Sequence, residues 1–320
     1  MKKKGFCFIL STMILLAGFA AGSRATSAGE KVTVVVGPYV GYVQIWQMGR
    51  YAKKYGIDLD LRKMFTFTQM QQAIELGRAE VGTLGYQNLV LMANAGGSPK
   101  AQAVAGVYRR GQDIVFHKDV KISKWKDIEG KTIARVPGSF ADFLFRFAAR
   151  SNGVNMKNVK LRALTPSPTM HLALERRDVD ALVIWVPALA FPIANGFGYS
   201  APITINKTSI GNINATLGMA TKFIKKGKVA VDLMKAYVES SDYYAKNKAA
   251  WMKGAKSLTG MKANVLEVSH DFLIFDTNLY PEKLKILAKN AHALKMVKND
   301  TSATVGRWVN LDVQKKARGM

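Results

Sequence analysis

The sequence predicts an α/β protein made of two similar lobes. Three observations lead there: a pattern that occurs twice, an alternation of strands and helices along both halves, and a length of 320 residues, comfortable for two cores. The pattern is Ala73-Ile-Glu-Leu-Gly-Arg-Ala-Glu-Val81 and, one hundred positions later, Ala173-Leu-Glu-Arg-Arg-Asp-Val-Asp-Ala181. Each copy reads as the last turn of a helix, a polar corner and a β-rich run, Val81 to Tyr86 and Ala181 to Trp185. Both runs end on an aromatic residue. In open α/β sheets ligands sit beyond the carboxyl ends of the strands, so two facing lobes would make a cleft lined by those tips.

The elements follow in order. Val32 to Val36 is a buried-type strand ending at Gly37-Pro38, and the next helix carries Ile45, Met48, Ala52 and Tyr55 at helical spacing before Gly56 stops it. Ile57 to Leu61 alternates as a second strand; Thr68 can cap a helix running to Gly77; Val81 to Tyr86 is the third strand. This succession argues a doubly wound parallel sheet. Ala101 to Tyr108 is a fourth strand, and Arg109-Arg110-Gly111 a change of direction. The scheme then repeats. A short helical turn spans Trp125 to Gly130, a strand Lys131 to Val136, and a helix opens at Pro137-Gly138-Ser139 and closes at Gly153. Val159 to Leu164 is a strand, and Ser167-Pro168 starts the helix that ends in the second copy of the pattern. Gly196-Phe197-Gly198 is a turn signal and Asn206 to Asn214 a polar return crossing. The strand Ala215 to Thr221 precedes a tail with long helices across Val229 to Met252 and Pro281 to Met296. The expected division is a lobe of 29–109 and 215–320 with a second of 110–214.

With 48% apolar and 22% charged residues the chain is globular. Met1-Lys2-Lys3-Lys4, an apolar stretch from Phe6 to Ala21 and the small residues after it have the layout of a secretory signal over 1–28, cut after Ala28 with Gly22 or Ser27 as other choices. An exported, periplasmic protein is therefore expected. The only cysteine, Cys7, lies inside that signal, so the mature chain would carry no disulfide, no cysteine-bound metal and no thiol nucleophile. Four of the 47 basic residues fall in the signal and none of the acids, leaving 43 against 22. The scattered lysines read as a solvated coat; a field that attracts anions is the other reading.

Reactive constellations are sparse. His117, His171, His270 and His292 stand far apart, and neither HExxH, GxSxG nor a phosphate loop occurs. Asp178 and Asp180 could be imagined as a catalytic pair, but they sit in a helix-to-strand corner. No cofactor, no metal and no catalytic residue is expected. The loops at strand ends suit non-covalent binding instead. Ser139, preceded by Gly138, can cap its helix with Asp142 as capping-box partner, leaving the amides of Ser139, Phe140 and Ala141 free for an oxyanion. Thr68-Gln69 offers a second helix start and Tyr86-Gln87-Asn88 a third. Aromatics gather at the same ends: Tyr39, Tyr42, Phe67, Tyr86, Phe140 and Trp185.

These segments resemble the periplasmic substrate-binding proteins of ABC importers for nitrate, sulfonates, taurine and thiamine-pyrimidine precursors. The resemblance is carried by Gln72 to Gly82, by Lys126 to Ala134 followed by Pro137-Gly138-Ser139, and by Leu174 to Ala181 with Trp185 and Pro187. It implies the type II binding-protein fold, with two doubly wound sheets joined by crossing strands near Tyr108–Arg110 and Gly211–Leu217, which brings Asn214 toward the cleft. It also implies a small-molecule ligand, closure about a hinge and a membrane permease as partner, in a protein that acts as a monomer and binds no nucleic acid. Relatives often carry an acid between the tryptophan and the proline; here that position is Val186. Its loss disfavours a zwitterion such as taurine and leaves an apolar wall, pointing to an anionic or planar organic ligand. Two rivals remain: an enzyme like the pyrimidine synthases of this fold, and a basic secreted protein that binds polyanions.

Overall fold

The computed structural model describes residues 29–165 and 168–320; the expected signal, Cys7 and Ser167 lie outside the described residues. Two mixed sheets organise the chain. The first contains β1 (Glu30–Val36), β2 (Ile57–Lys63), β3 (Val81–Gly85), β4 (Ala101–Arg110), β10 (Ala215–Ala220) and β11 (Leu273–Phe275), in the order β11-β4-β10-β3-β1-β2. The second contains β5 (Gln112–His117), β6 (Thr132–Arg135), β7 (Lys160–Ala163), β8 (Ala181–Trp185) and β9 (Gly198–Tyr199), in the order β7-β6-β8-β5-β9. β1 runs parallel to β2 and β3, and β6 runs parallel to β7 and β8. β10 enters antiparallel between β3 and β4, and β5 pairs antiparallel with β8. The central strands are covered on both faces, which is why Val32, Val34, Val35 and Val36 of β1 and Ala181 to Ile184 of β8 are almost fully buried.

The twin pattern folds into two corners with the same bonding. In the first, the amides of Arg78 and Ala79 both donate to Ala73 O, and Glu80 N donates to Thr33 O of β1. In the second, Asp178 and Val179 donate to Ala173 O, and Asp180 N donates to Thr132 O of β6. The acid returns the contact each time: Glu80 Oε2 accepts from Thr33 N at 2.9 Å, and Asp180 Oδ2 accepts from Thr132 N at 2.8 Å. These carboxylates lock each corner onto the neighbouring parallel strand. The corners differ at the residue that turns the chain, which is Gly77 with φ 70° in one and Arg177 with φ 62° in the other.

The chain passes from the first sheet to the second between β4 and β5, where Arg110 (φ 61°) and Gly111 (φ 76°) are both left-handed. It returns through 200–214 without helix or strand. The two passages are tied together by Asn214 Nδ2, which donates to Arg110 O at 2.7 Å. Buried Asp113 fastens the return segment, accepting from Thr204 Oγ1 at 2.6 Å, Ile205 N at 3.1 Å and Asn206 Nδ2 at 3.1 Å. Burial pushes its carboxyl above the ordinary aspartate value.

Several expectations need correction. The helix after β1 is broken into Val43–Trp46 and Gly49–Ala52 with 3₁₀ turns on either side, although Gly56 does stop it with φ 69°. Tyr86 belongs to the helix Tyr86–Ala95, not to β3. The tail helix expected across Val229 to Met252 breaks at Asn247 into Lys228–Lys246 and Lys248–Thr259. The turn signal at Gly196-Phe197-Gly198 leads straight into β9, which pairs with Phe116 and His117 of β5. Such a short strand exists through its partner, so local pattern does not announce it. Among the described residues no helix is long and apolar enough to cross a membrane.

Candidate functional site

The carboxyl ends of the parallel strands of both sheets face one cavity of about 340 Å3, the small end of the usual range of roughly 300–1,000 Å3 for ligand pockets. The first sheet contributes Tyr39 and Tyr42 after β1, Phe65 to Thr68 and Met70 after β2, Gln87, Asn88 and Leu91 after β3, and Tyr108 near the end of β4. The second contributes Gln112 at the start of β5, Val136 to Ala141 after β6, and Trp185 and Val186 at the end of β8. Asn214 joins them from the return crossing.

Three helices begin at this wall. Phe67–Glu75 is capped by Thr66, whose Oγ1 accepts from Gln69 N while Gln69 Oε1 accepts from Thr66 N, both at 3.2 Å. Tyr86–Ala95 starts after Gly85. Phe140–Ser151 is capped by Ser139, whose Oγ accepts from Asp142 N at 3.1 Å. The first amides of a helix have no partner within it, and its dipole puts partial positive charge at that end. Phe67, Thr68, Gln87, Asn88, Phe140 and Ala141, all first-turn residues, line the cavity.

Among the described residues no aspartate, glutamate, lysine, arginine or histidine lines it, in a chain of net charge +25. A group of charges lies behind the Ser139 turn. There buried Asp142 accepts from Arg135 Nη1 and Arg146 Nε, each at 3.0 Å, and from Gly138 N at 3.4 Å. This corrects one expectation: Asp142 does not complete a capping box with Ser139, because Ser139 N donates to Val136 O at 3.2 Å. Only the Phe140 and Ala141 amides and the Ser139 hydroxyl remain for a ligand at that turn.

The rest of the wall is aromatic. Tyr42 and Tyr108 pack with ring centroids 5.6 Å apart, and Tyr39 donates its hydroxyl to Phe65 O at 2.8 Å. Burial holds the Tyr42 phenol well above its ordinary value and pushes Tyr108 up to about 12, so both stay neutral donors. Three amide atoms at the site are buried without a hydrogen-bond partner: Gln87 Oε1, Asn88 Oδ1 and Gln112 Nε2.

The cavity thus gathers Tyr39, Tyr42, Phe67, Thr68, Gln87 and Asn88 from one sheet. It gathers Gly138, Ser139, Phe140 and Trp185 from the other, with Asn214 between them. Two expected site residues lie elsewhere. Tyr86 is 2% exposed, and its hydroxyl accepts from Tyr280 N at 3.1 Å on the far side of its helix start. Gln69 is spent on the Thr66 cap, which also displaces Thr68 as the capping residue. The structure adds Phe65, Thr66, Met70, Leu91, Tyr108, Gln112, Val136 and Pro137 to the lining. A polar residue opening the apolar run Ile114 to Phe116 directly after Gly111 is the signal that could have marked Gln112; its register opposite Trp185 needed the structure.

Comparisons with known proteins agree with this architecture. The taurine-binding periplasmic protein of Escherichia coli K12 is 24% identical over 214 residues, which cover 65% of this chain and 64% of that protein. The chain thus spans just under two thirds of that relative. Among solved structures, the periplasmic aliphatic sulphonate binding protein SsuA of Escherichia coli superposes with a TM-score of 0.74 at 17% identity, covering 88% of this chain and 92% of that one. A variant of the desulfurization enzyme DSZB in complex with biphenyl-2-sulfinic acid superposes with a TM-score of 0.67 at 12% identity, covering 91% and 99%. The family model described as NMT1/THI5 like matches residues 47–249, more than half of the sequence. With the repeated corners, the two sheets and the shared cleft, that match places the chain in the NMT1/THI5-like family.

Proposed function

We propose that this protein is the periplasmic solute-binding component of an ABC importer, and that it captures a small planar organic oxyanion, an aryl sulfonate or aryl carboxylate, between its two lobes. The observation that carries the reading is the composition of the cavity: three helix starts and no charged side chain, with aromatic rings around them. Helix-start amides and the Ser139 hydroxyl bind an oxyanion without a counter-ion. The rings of Tyr39, Tyr42, Phe67, Phe140 and Trp185 supply flat apolar surface for the rest of the molecule. Val186 stands where an acid would be needed to hold an ammonium, which disfavours taurine here.

Closure about the Arg110–Gly111 and return crossings brings the second wall onto a ligand already seated on the first, and differential contact with the closed form drives it. Export to the periplasm and delivery to a membrane permease, as a monomer, complete the reading. An enzyme is the rival, since the fold also serves DSZB. Among the described residues the lining offers no carboxylate, imidazole, ammonium or thiol for proton transfer or covalent attack, which favours capture over catalysis. Equilibrium dialysis against aryl sulfonates, aryl carboxylates, aminopyrimidines and taurine tests the proposal. Uptake of an aryl oxyanion is expected; tight binding of taurine with none of the aryl compounds retained would overturn it.

A further inference from the structure

The orientation of one side-chain amide in the cavity is set from outside. Glu75 carries a carboxylate, which only accepts hydrogen bonds, and both its oxygens lie 3.4 Å from Gln71 Nε2. That turns Gln71 so that Oε1 is its free end. Asn88 then presents Nδ2 to Gln71 Oε1, at 2.9 Å, because the opposite orientation would set two oxygens against each other. The chain Glu75, Gln71, Asn88 therefore leaves Asn88 Oδ1 as the atom without a partner, on a residue only 2% exposed that lines the cavity. Space beside this oxygen is kept by Gly85. A Cβ there would stand 3.2 Å from Asn88 Oδ1 and 2.9 Å from the Phe67 ring.

We infer that the ligand carries a hydrogen-bond donor, an O–H or N–H group on its planar part, which Asn88 Oδ1 accepts. Gln71 is the positioning residue that fixes this choice without lining the cavity. The inference rests on the oxyanion reading above and narrows it to hydroxylated or amino-substituted aryl oxyanions. A ligand that lacks the donor shuts a buried acceptor away from water unpaired, and that omission costs affinity about tenfold or more. An acceptor such as a methoxy oxygen at the same place meets Oδ1 with repulsion.

The test is calorimetric titration of the full mature chain with benzenesulfonate, its three hydroxy and three amino isomers, and their O-methyl and N,N-dimethyl counterparts. At one ring position the hydroxy or amino compound is expected to bind about tenfold tighter, or more, than both its methylated counterpart and benzenesulfonate. In Gln71→Met the Asn88 amide is free to turn, and the preference should fall below about threefold as the methyl ether gains. If circular dichroism shows that variant to be misfolded, Asn88→Leu serves in its place and should lose the preference of each hydroxy or amino compound over its methylated counterpart. Equal affinities at every ring position in the wild type, or a preference that survives in the folded variant, overturn the inference and leave the oxyanion reading standing. Failure of every one of these compounds and of the matching benzoates to bind refutes the oxyanion reading itself, and this inference with it.

Discussion

In the proposed capture Ser139 serves both the fold and the ligand, and substitutions there can separate the two. Its Oγ accepts from Asp142 N, so Ser139→Ala removes the cap of the helix Phe140–Ser151 at a cost of about 1 kcal/mol. That corresponds to a fall of roughly 2–4 °C in melting temperature. The same change removes the hydroxyl proton that an oxyanion would accept, a charge-assisted bond contributing about 1.5–3 kcal/mol, or roughly 10- to 100-fold in affinity. Because alanine alters both, Ser139→Asp and Ser139→Asn are the informative pair. Both are good capping residues, so both should melt close to the wild type. The aspartate sets a negative charge against the ligand's own; at about 4 Å and an effective dielectric constant near 20, that repulsion is about 4 kcal/mol. Thermal unfolding without ligand and calorimetry with an aryl sulfonate measure the two effects independently. Ser139→Asp is expected to keep its melting temperature and lose at least about a hundredfold in affinity, while Ser139→Asn loses far less. Binding by Ser139→Asp within about threefold of wild type would refute the oxyanion role of this turn.

Four further outcomes are expected. With no charge in the lining, aryl sulfonate affinity should change little between roughly 0.05 and 1 M salt, whereas polyanion binding by the basic surface would fall steeply; fluorescence titration distinguishes them. Gly77→Ala should lower stability by about 1 kcal/mol in urea unfolding, because φ there is 70° and the added methyl meets nothing, while Arg177→Gly in the twin corner should stabilise. Val186→Asp should weaken capture of simple aryl oxyanions and raise the relative affinity for an amine-bearing sulfonate, read by competition dialysis. Burial lowers the pKa of His171 and His270 below 6.5, so the unfolded chain binds protons that the folded one does not. Their contribution to stability is present above about pH 6.5 and is lost as pH falls below that value through the lower folded-state pKa, which unfolding midpoints at pH 7.5 and 5 should register.

The sequence carried the scaffold further than the site. Strand-to-helix junctions were legible because they combine periodicity with glycine, proline and capping residues, as at Pro137-Gly138-Ser139 and in the twin corners. Alternatives that differ by two positions were not. Thr66 and Thr68 are equally good caps by chemistry, and the choice fell to the residue whose backbone is extended, with Gln69 three positions on. Tyr86 ends one β-rich run and starts a helix, and its burial against Tyr280 depends on a contact across 194 positions. Gln112 becomes a wall residue only through its register with Trp185 on another strand. The orientation of Asn88, which narrows the ligand, follows from a hydrogen-bond chain that no spacing rule encodes.

In the proposed capture a neutral helix start, and not the basic side chains, holds the ligand's anionic group. A crystal structure of the complex with an aryl sulfonate tests it most directly. Sulfonate oxygens are expected within about 3 Å of Ser139 Oγ and the amides of Phe140 and Ala141, with the ring among the aromatic residues of the cleft. A sulfonate seated instead on Arg135, Arg146 and Arg150 in the adjoining cavity behind Gly138 would contradict it.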